Sequence, residues 1–138
     1  MEAKIEKGRA LVLVGPQGCG KTLLARKLAA AIGDFIELDA RELQSNRHFW
    51  PALEKAPTTC IVEGLPQNDD VLTEIKGMIA NAETVVPRKN QEPVRVTSPN
   101  FIFCTDEMEP VKRLEGQRRF LVVRMDTTQL IRQLTGEG

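Results

Sequence analysis

The clearest chemistry in the chain lies in Gly15-Pro16-Gln17-Gly18-Cys19-Gly20-Lys21-Thr22. The order G-x-x-x-x-G-K-[ST] suits a polyphosphate. Glycines let consecutive backbone N–H groups curl around phosphate oxygens, and a helix opening at the lysine adds the positive end of its dipole. Lys21 is long enough to reach β- and γ-phosphates, and the Thr22 hydroxyl is a hard oxygen for Mg²⁺. A chance match somewhere in such a chain occurs in roughly one sequence in two hundred, with Gly at about 7% of residues. The sequence has no Asn-Lys-x-Asp string of the kind that recognises guanine, which weakens a GTPase reading.

The motif needs a strand before it and a helix after it, and the flanking residues supply both. Ala10–Val14 is an unbroken apolar run, the pattern of a strand buried on both faces of a parallel sheet. From Lys21, Leu24, Leu28 and Ile32 recur at helical spacing with Ala25 and Ala29 beside them, and Gly33 is placed to end the helix. Residues 35–38, 58–62, 100–105 and 120–123 read as four further strands. A second amphipathic helix is expected over 69–82 around Val71, Leu72, Ile75, Met78 and Ile79, and a helical stretch over 40–56 around Leu43, Phe49 and Leu53. Thr84–Val86 and Val94–Val96 are β-prone pieces separated by the charged, proline-flanked run 87–93, which predicts a hairpin with a loop longer than the commonest turns. Strands alternating with helices predict an α/β fold: three layers around a central, mostly parallel five-stranded sheet with flanking helices and a β-hairpin insertion.

Composition narrows the class. The chain has 138 residues, which predicts a single domain over 1–138. Nineteen Lys and Arg balance nineteen Asp and Glu, so no global basic field marks the chain as a nucleic-acid binder, although a local patch is not excluded. Aromatics make up only 4%, so the core must rest on Val, Ile, Leu and Ala. The longest apolar stretch is far shorter than the ~20 residues a bilayer needs, and residues 1–7 lack the apolar segment of a signal peptide. Cys19, Cys60 and Cys104 form no C-x-x-C pair and read as small buried hydrophobes in a reducing cytosol. His48, beside Phe49 and Trp50, reads as helix packing.

From Thr58 to Met125 the chain resembles the core of the superfamily-three helicases, a branch of the AAA+ ATPases. The resemblance lies in the order of the parts: the phosphate loop, Cys60-Ile-Val-Glu63-Gly64, the helix Leu72-Thr-Glu-Ile-Lys-Gly-Met-Ile79, and the hairpin Val85-Val-Pro-Arg88-Lys89-Asn90. There follow the polar-tipped strand Pro99-Asn-Phe-Ile-Phe-Cys-Thr105-Asp106-Glu107 and the arginine step Gln117-Arg118-Arg119-Phe120. It implies that Glu63 polarises the attacking water or helps hold Mg²⁺, and that Thr105 or Asp106 occupies a position facing the γ-phosphate. It also implies that Arg88 and Lys89 touch nucleic-acid backbone without reading bases, and that Arg118 or Arg119 serves a neighbouring subunit's site. Lys112 and Arg113 are weaker candidates for that interface. Two departures stand out. The family usually has two acids where this chain has Val62-Glu63-Gly64, and usually Asn at the position that Thr105 and Asp106 occupy; Asp69 and Asp70 are near in sequence, but nothing shows that they substitute.

These readings together predict an ATP-binding module with Mg²⁺-dependent hydrolysis, related to phage or plasmid replication helicases and working in the cytosol. It is expected to act on single-stranded DNA as a homo-oligomeric ring, with a separate DNA-binding or primase partner and no membrane contact. With nine residues before the first strand and only 126–138 after the last, the domain is expected to be without an N-terminal DNA-binding domain and a C-terminal helical lid. Two rivals remain: a small P-loop kinase, whose arginine-rich lid is missing here, and a nucleotide-binding interaction module whose hydrolysis has decayed.

Overall fold

The computed structural model describes residues 9–43, 51–108, 114 and 117–125. In chain order the elements are β1 (Ala10–Val14), α1 (Lys21–Ile32), β2 (Phe35–Asp39), a 3₁₀ turn (Ala40–Glu42), β3 (Thr59–Glu63) and α2 (Asp69–Ala80). They continue with β4 (Glu83–Arg88), β5 (Gln91–Thr97), β6 (Asn100–Thr105) and β7 (Phe120–Arg124). Five strands make one sheet in the order β2-β3-β6-β1-β7, and every neighbouring pair in it is parallel.

The apolar runs are unbroken because this sheet is covered on both faces. Leu13, Ile61, Ile102 and Cys104 point to one side, where they meet Ala25 and Ala29 of α1. Val12, Val14, Cys60, Val62, Phe101 and Phe103 point to the other, against Val71, Ile75, Met78 and Ile79 of α2. The small alanines of α1 let that helix lie close to the strands. Phe101 and Phe103 stack with ring centroids 6.0 Å apart and give the α2 side its bulk.

Parallel register fixes what happens at the sheet's edge. Glu63 lies opposite Cys104, Val14 opposite Thr105, and Asp39 opposite Glu63. The C-terminal ends of β2, β3, β6 and β1 therefore finish nearly level, and everything the chain places after them faces one cleft.

Local chemistry sets the ends of α2. The Asn68 side chain accepts hydrogen bonds from the N–H groups of Asp70 and Val71, and Asn81 Nδ2 donates to the Gly77 carbonyl at 2.7 Å. That cap ends the helix at Ala80, two residues short of the predicted boundary.

The hairpin departs from expectation. Its strands run to Arg88 and from Gln91, leaving a two-residue turn, Lys89-Asn90, instead of a loop over 87–93. Asn90 supplies the left-handed backbone such a turn needs, at φ 58°, which Asn tolerates better than most residues. Pro87 is absorbed by a register shift between Val86 and Arg88. Val86 and Val96 anchor the hairpin in the α2-side core. Within the helical stretch expected over 40–56, the described residues hold the 3₁₀ turn and helical residues at 51–53; positions 44–50 lie outside the described residues. His48, Phe49, Trp50, Lys112, Arg113 and the tail 126–138 lie outside the described residues.

Candidate nucleotide site

The cleft at the C-terminal ends of the strands encloses about 670 Å³. One wall is the glycine loop between β1 and α1. Gly18 and Gly20 take left-handed backbone at φ 80° and 91°, so side chains there would be strained. Gly20 starts α1 without any side-chain cap, and the first turn contains no acidic residue. The contrast with α2 is informative. That helix has an Asn cap and Asp69 and Asp70 in its first turn, whereas the start of α1 leaves its N–H groups and dipole directed at the cleft.

Lys21 folds over the loop it follows. Its Nζ donates to the carbonyls of Gly15 at 2.7 Å and Pro16 at 3.0 Å. Gly15 N–H donates in turn to the Thr105 carbonyl at 3.1 Å, and Cys19 N–H to the Pro16 carbonyl at 3.3 Å. Gln17, Gly18, Gly20, Lys21 and Thr22 line the cleft. Gly15, Pro16 and the buried Cys19 support the loop from behind.

Across the cleft, Thr22 Oγ1 donates to Glu63 Oε1 at 2.6 Å, so the two residues singled out for Mg²⁺ stand together. They are hard oxygen donors of the kind Mg²⁺ prefers. Among the described residues no group of three His, Cys, Asp or Glu side chains could hold a metal ion. Mg²⁺ is usually bound through one or two protein oxygens plus the substrate's phosphates.

Thr105 and Asp106 divide their tasks. Thr105 is buried, and its Oγ1 accepts the Glu107 N–H at 3.0 Å, so the hydroxyl pins the turn after β6. Asp106 is exposed on the cleft wall. Its strand lies between β3, which carries Glu63, and β1, which leads into the loop.

The remaining candidates lie elsewhere. Arg118 and Arg119 are exposed just before β7, where the Arg119 carbonyl accepts the Ala10 N–H at 2.6 Å. Ala10 opens β1, so the pair sits at the end of the sheet away from the cleft. Within one chain they are not brought to the phosphate loop. Arg88 closes β4, with its Nε donating to the Glu92 carbonyl at 2.8 Å, and Lys89 projects at the exposed turn.

Sequence reasoning missed three polar cleft residues: Asp39, Arg41 and Gln67. No motif marks them, and Asp39 becomes visible only once β2 is known to lie beside β3. The Arg41 guanidinium and N–H hold the Asp39 carboxyl below the usual carboxylate range. All three cysteines are free and buried, and burial pushes the Cys60 and Cys104 thiols up to about 12. Cys60 and Cys104 are inert packing groups.

The chain matches the family model described as RNA helicase over residues 11–106, from β1 through the hairpin to Asp106. No curated protein matches it. Among solved structures it is similar to the A-form apo C-terminal region of NrS-1, with TM-score 0.66 and 23% identity, covering 88% of this chain and 29% of that one. A second apo structure of that region gives TM-score 0.64 and 22% identity, over 95% of this chain and 34% of that one. At these identities the likeness is one of fold, and the chain spans about a third of the length of those structures.

Proposed function

The chain belongs to the RNA helicase family, the superfamily-three branch of the AAA+ ATPases, and on that premise we propose that it binds ATP with Mg²⁺ and hydrolyses it as the motor core of a replication helicase. The observation that carries the reading is the uncapped start of α1 behind a glycine loop, facing the Thr22–Glu63 pair. The N–H groups of Gly18 to Thr22 cradle the β- and γ-phosphates, and Lys21 exchanges its carbonyl partners for phosphate oxygens. Thr22 and Glu63 would hold the Mg²⁺, which would supply positive charge to neutralise the phosphates. Asp106 faces the γ-phosphate.

The site as one chain presents it has no arginine near the loop from the 118–119 pair. A homo-oligomeric ring, in which Arg118 or Arg119 of one copy reaches the next copy's cleft, completes it. The hairpin then carries Arg88 and Lys89 to the backbone of a single-stranded nucleic acid, taken here as DNA. It acts with a separate DNA-binding or primase partner. The work is done in the cytosol, where the three thiols stay reduced. No described helix is long and apolar enough to cross a membrane.

The test is ATP turnover across a protein concentration series, with and without single-stranded DNA or RNA, beside Lys21→Ala. Turnover per chain should rise with concentration and vanish in the variant. Release of free phosphate separates this reading from a kinase, which would pass the phosphoryl group to an acceptor. Background turnover at every concentration would leave a nucleotide-binding module.

A further inference from the structure

We propose that the Asp106 carboxylate is the proton acceptor for the water that attacks the γ-phosphate. The assignment rests on the hydrolase reading above and deepens it.

Glu63 already accepts a hydrogen bond from the Thr22 hydroxyl at 2.6 Å, and with Thr22 it would hold the Mg²⁺. The next residue carries no acid, and the backbone there disfavours one. Gly64 has φ 93°, its N–H donates to the Cys104 carbonyl at 2.6 Å, and a Cβ would come within 3.3 Å of the Ala40 methyl. Asp39 is clamped by Arg41, with Nη2 to Oδ2 at 2.8 Å, and it ends β2, which both β3 and β6 separate from β1. A guanidinium-bound carboxylate one strand beyond Glu63 is a poor proton acceptor for chemistry at the loop.

Asp106 differs on each count. It follows β6, the strand between the one that ends in Glu63 and the one that opens into the phosphate loop. Register puts Thr105 opposite Val14 and Cys104 opposite Glu63, so residue 106 emerges just beyond both ends. The Glu107 N–H bonded to Thr105 Oγ1 fixes that turn. Among the described residues no ion pair occupies the Asp106 carboxylate.

In the step, the water oxygen forms a bond to the γ-phosphorus and the bond from that phosphorus to the β,γ-bridging oxygen breaks. The bridging electron pair leaves with ADP, and the water's proton passes to an Asp106 oxygen and then to solvent.

The experiment compares Asp106→Asn, Glu107→Gln and Glu63→Gln in the full chain. It reads single-turnover hydrolysis at saturating MgATP, affinity for a fluorescent ATP analogue, and melting temperature. Asp106→Asn should lower the hydrolysis rate by about 100-fold or more while analogue affinity stays within about 3-fold and the melting temperature holds. Glu63→Gln should instead lose Mg²⁺-dependent affinity. A rate in Asp106→Asn within about 3-fold of the unmodified chain overturns the assignment and leaves the hydrolase reading standing. So does a loss that appears in Glu107→Gln instead, or one in which rate and affinity fall together. An unmodified chain that binds the analogue yet never hydrolyses ATP refutes the hydrolase reading itself, and this assignment with it.

Discussion

Replacing Gly15 by Ala adds one methyl group at the point where the phosphate loop leaves β1. That methyl would sit 2.5 Å from the Met125 carbonyl oxygen and 3.0 Å from Cys19 Sγ. Both neighbours resist. Cys19 is buried, and the obstructing oxygen belongs to backbone just past the end of β7. Relief requires Met125 to retreat, which stretches the 2.8 Å bond from its N–H to the Val14 carbonyl. Overpacking of this kind costs about 1–3 kcal/mol, and a lost backbone hydrogen bond adds about 1 kcal/mol. The sum, about 2–4 kcal/mol, corresponds to a fall of roughly 8–16 °C in melting temperature for a domain of this size. The Gly15 carbonyl also receives Lys21 Nζ at 2.7 Å, so ATP affinity should fall with stability. Gly77→Ala is the matched control, since an added Cβ meets nothing within 4 Å on α2. There Ala should raise stability by about 0.5–1 kcal/mol through its better helix propensity. Thermal unfolding followed by circular dichroism reads both variants. Equal melting temperatures, or a Gly15→Ala protein as stable as the unmodified one, would refute the close approach of loop and β7.

Three further outcomes are expected. Arg88→Ala with Lys89→Ala should weaken single-stranded nucleic-acid binding while leaving ATP affinity alone, and should reduce the salt slope by about 1.4, since each lost phosphate contact removes about 0.7; filter binding across a salt series checks it. Asp34 accepts hydrogen bonds from the Thr58 hydroxyl at 2.7 Å and the Thr58 N–H at 3.0 Å, which holds its carboxyl below the usual 3.8. A depressed folded value contributes stability above the unfolded value that is lost as pH falls through the folded one, so Asp34→Asn should flatten the decline in melting temperature below about pH 4. The buried cysteines should react with a thiol reagent far more slowly in native protein than after denaturation; prompt native labelling of Cys60 or Cys104 would contradict their burial.

How far the sequence can be read depends on the range of the interactions involved. β1, α1 and β6 have the boundaries their residues predict, because unbroken apolar runs and the three-four spacing of Leu24, Leu28 and Ile32 are local patterns. The hairpin turn is shorter than its residues suggest, because prolines at 87 and 93 look like loop residues, yet an isolated two-stranded ribbon tolerates a missing donor on its outer edge. The phosphate loop and Glu63 were legible as motifs. The Thr22–Glu63 contact and the place of Asp106 between the strand that ends in Glu63 and the one that leads into the glycine loop needed the strand order, which no local pattern contains. Asp39 and Arg41 were invisible for the same reason.

The central claim is that the loop from Gly15 to Thr22 holds a triphosphate. Calorimetric titration of the folded chain with ATP and Mg²⁺ tests it most directly. One nucleotide per chain should bind with measurable heat, and Lys21→Ala, with an unchanged melting curve, should give none at the same concentration. Silence from the unmodified protein, or equal binding by both, would contradict the account.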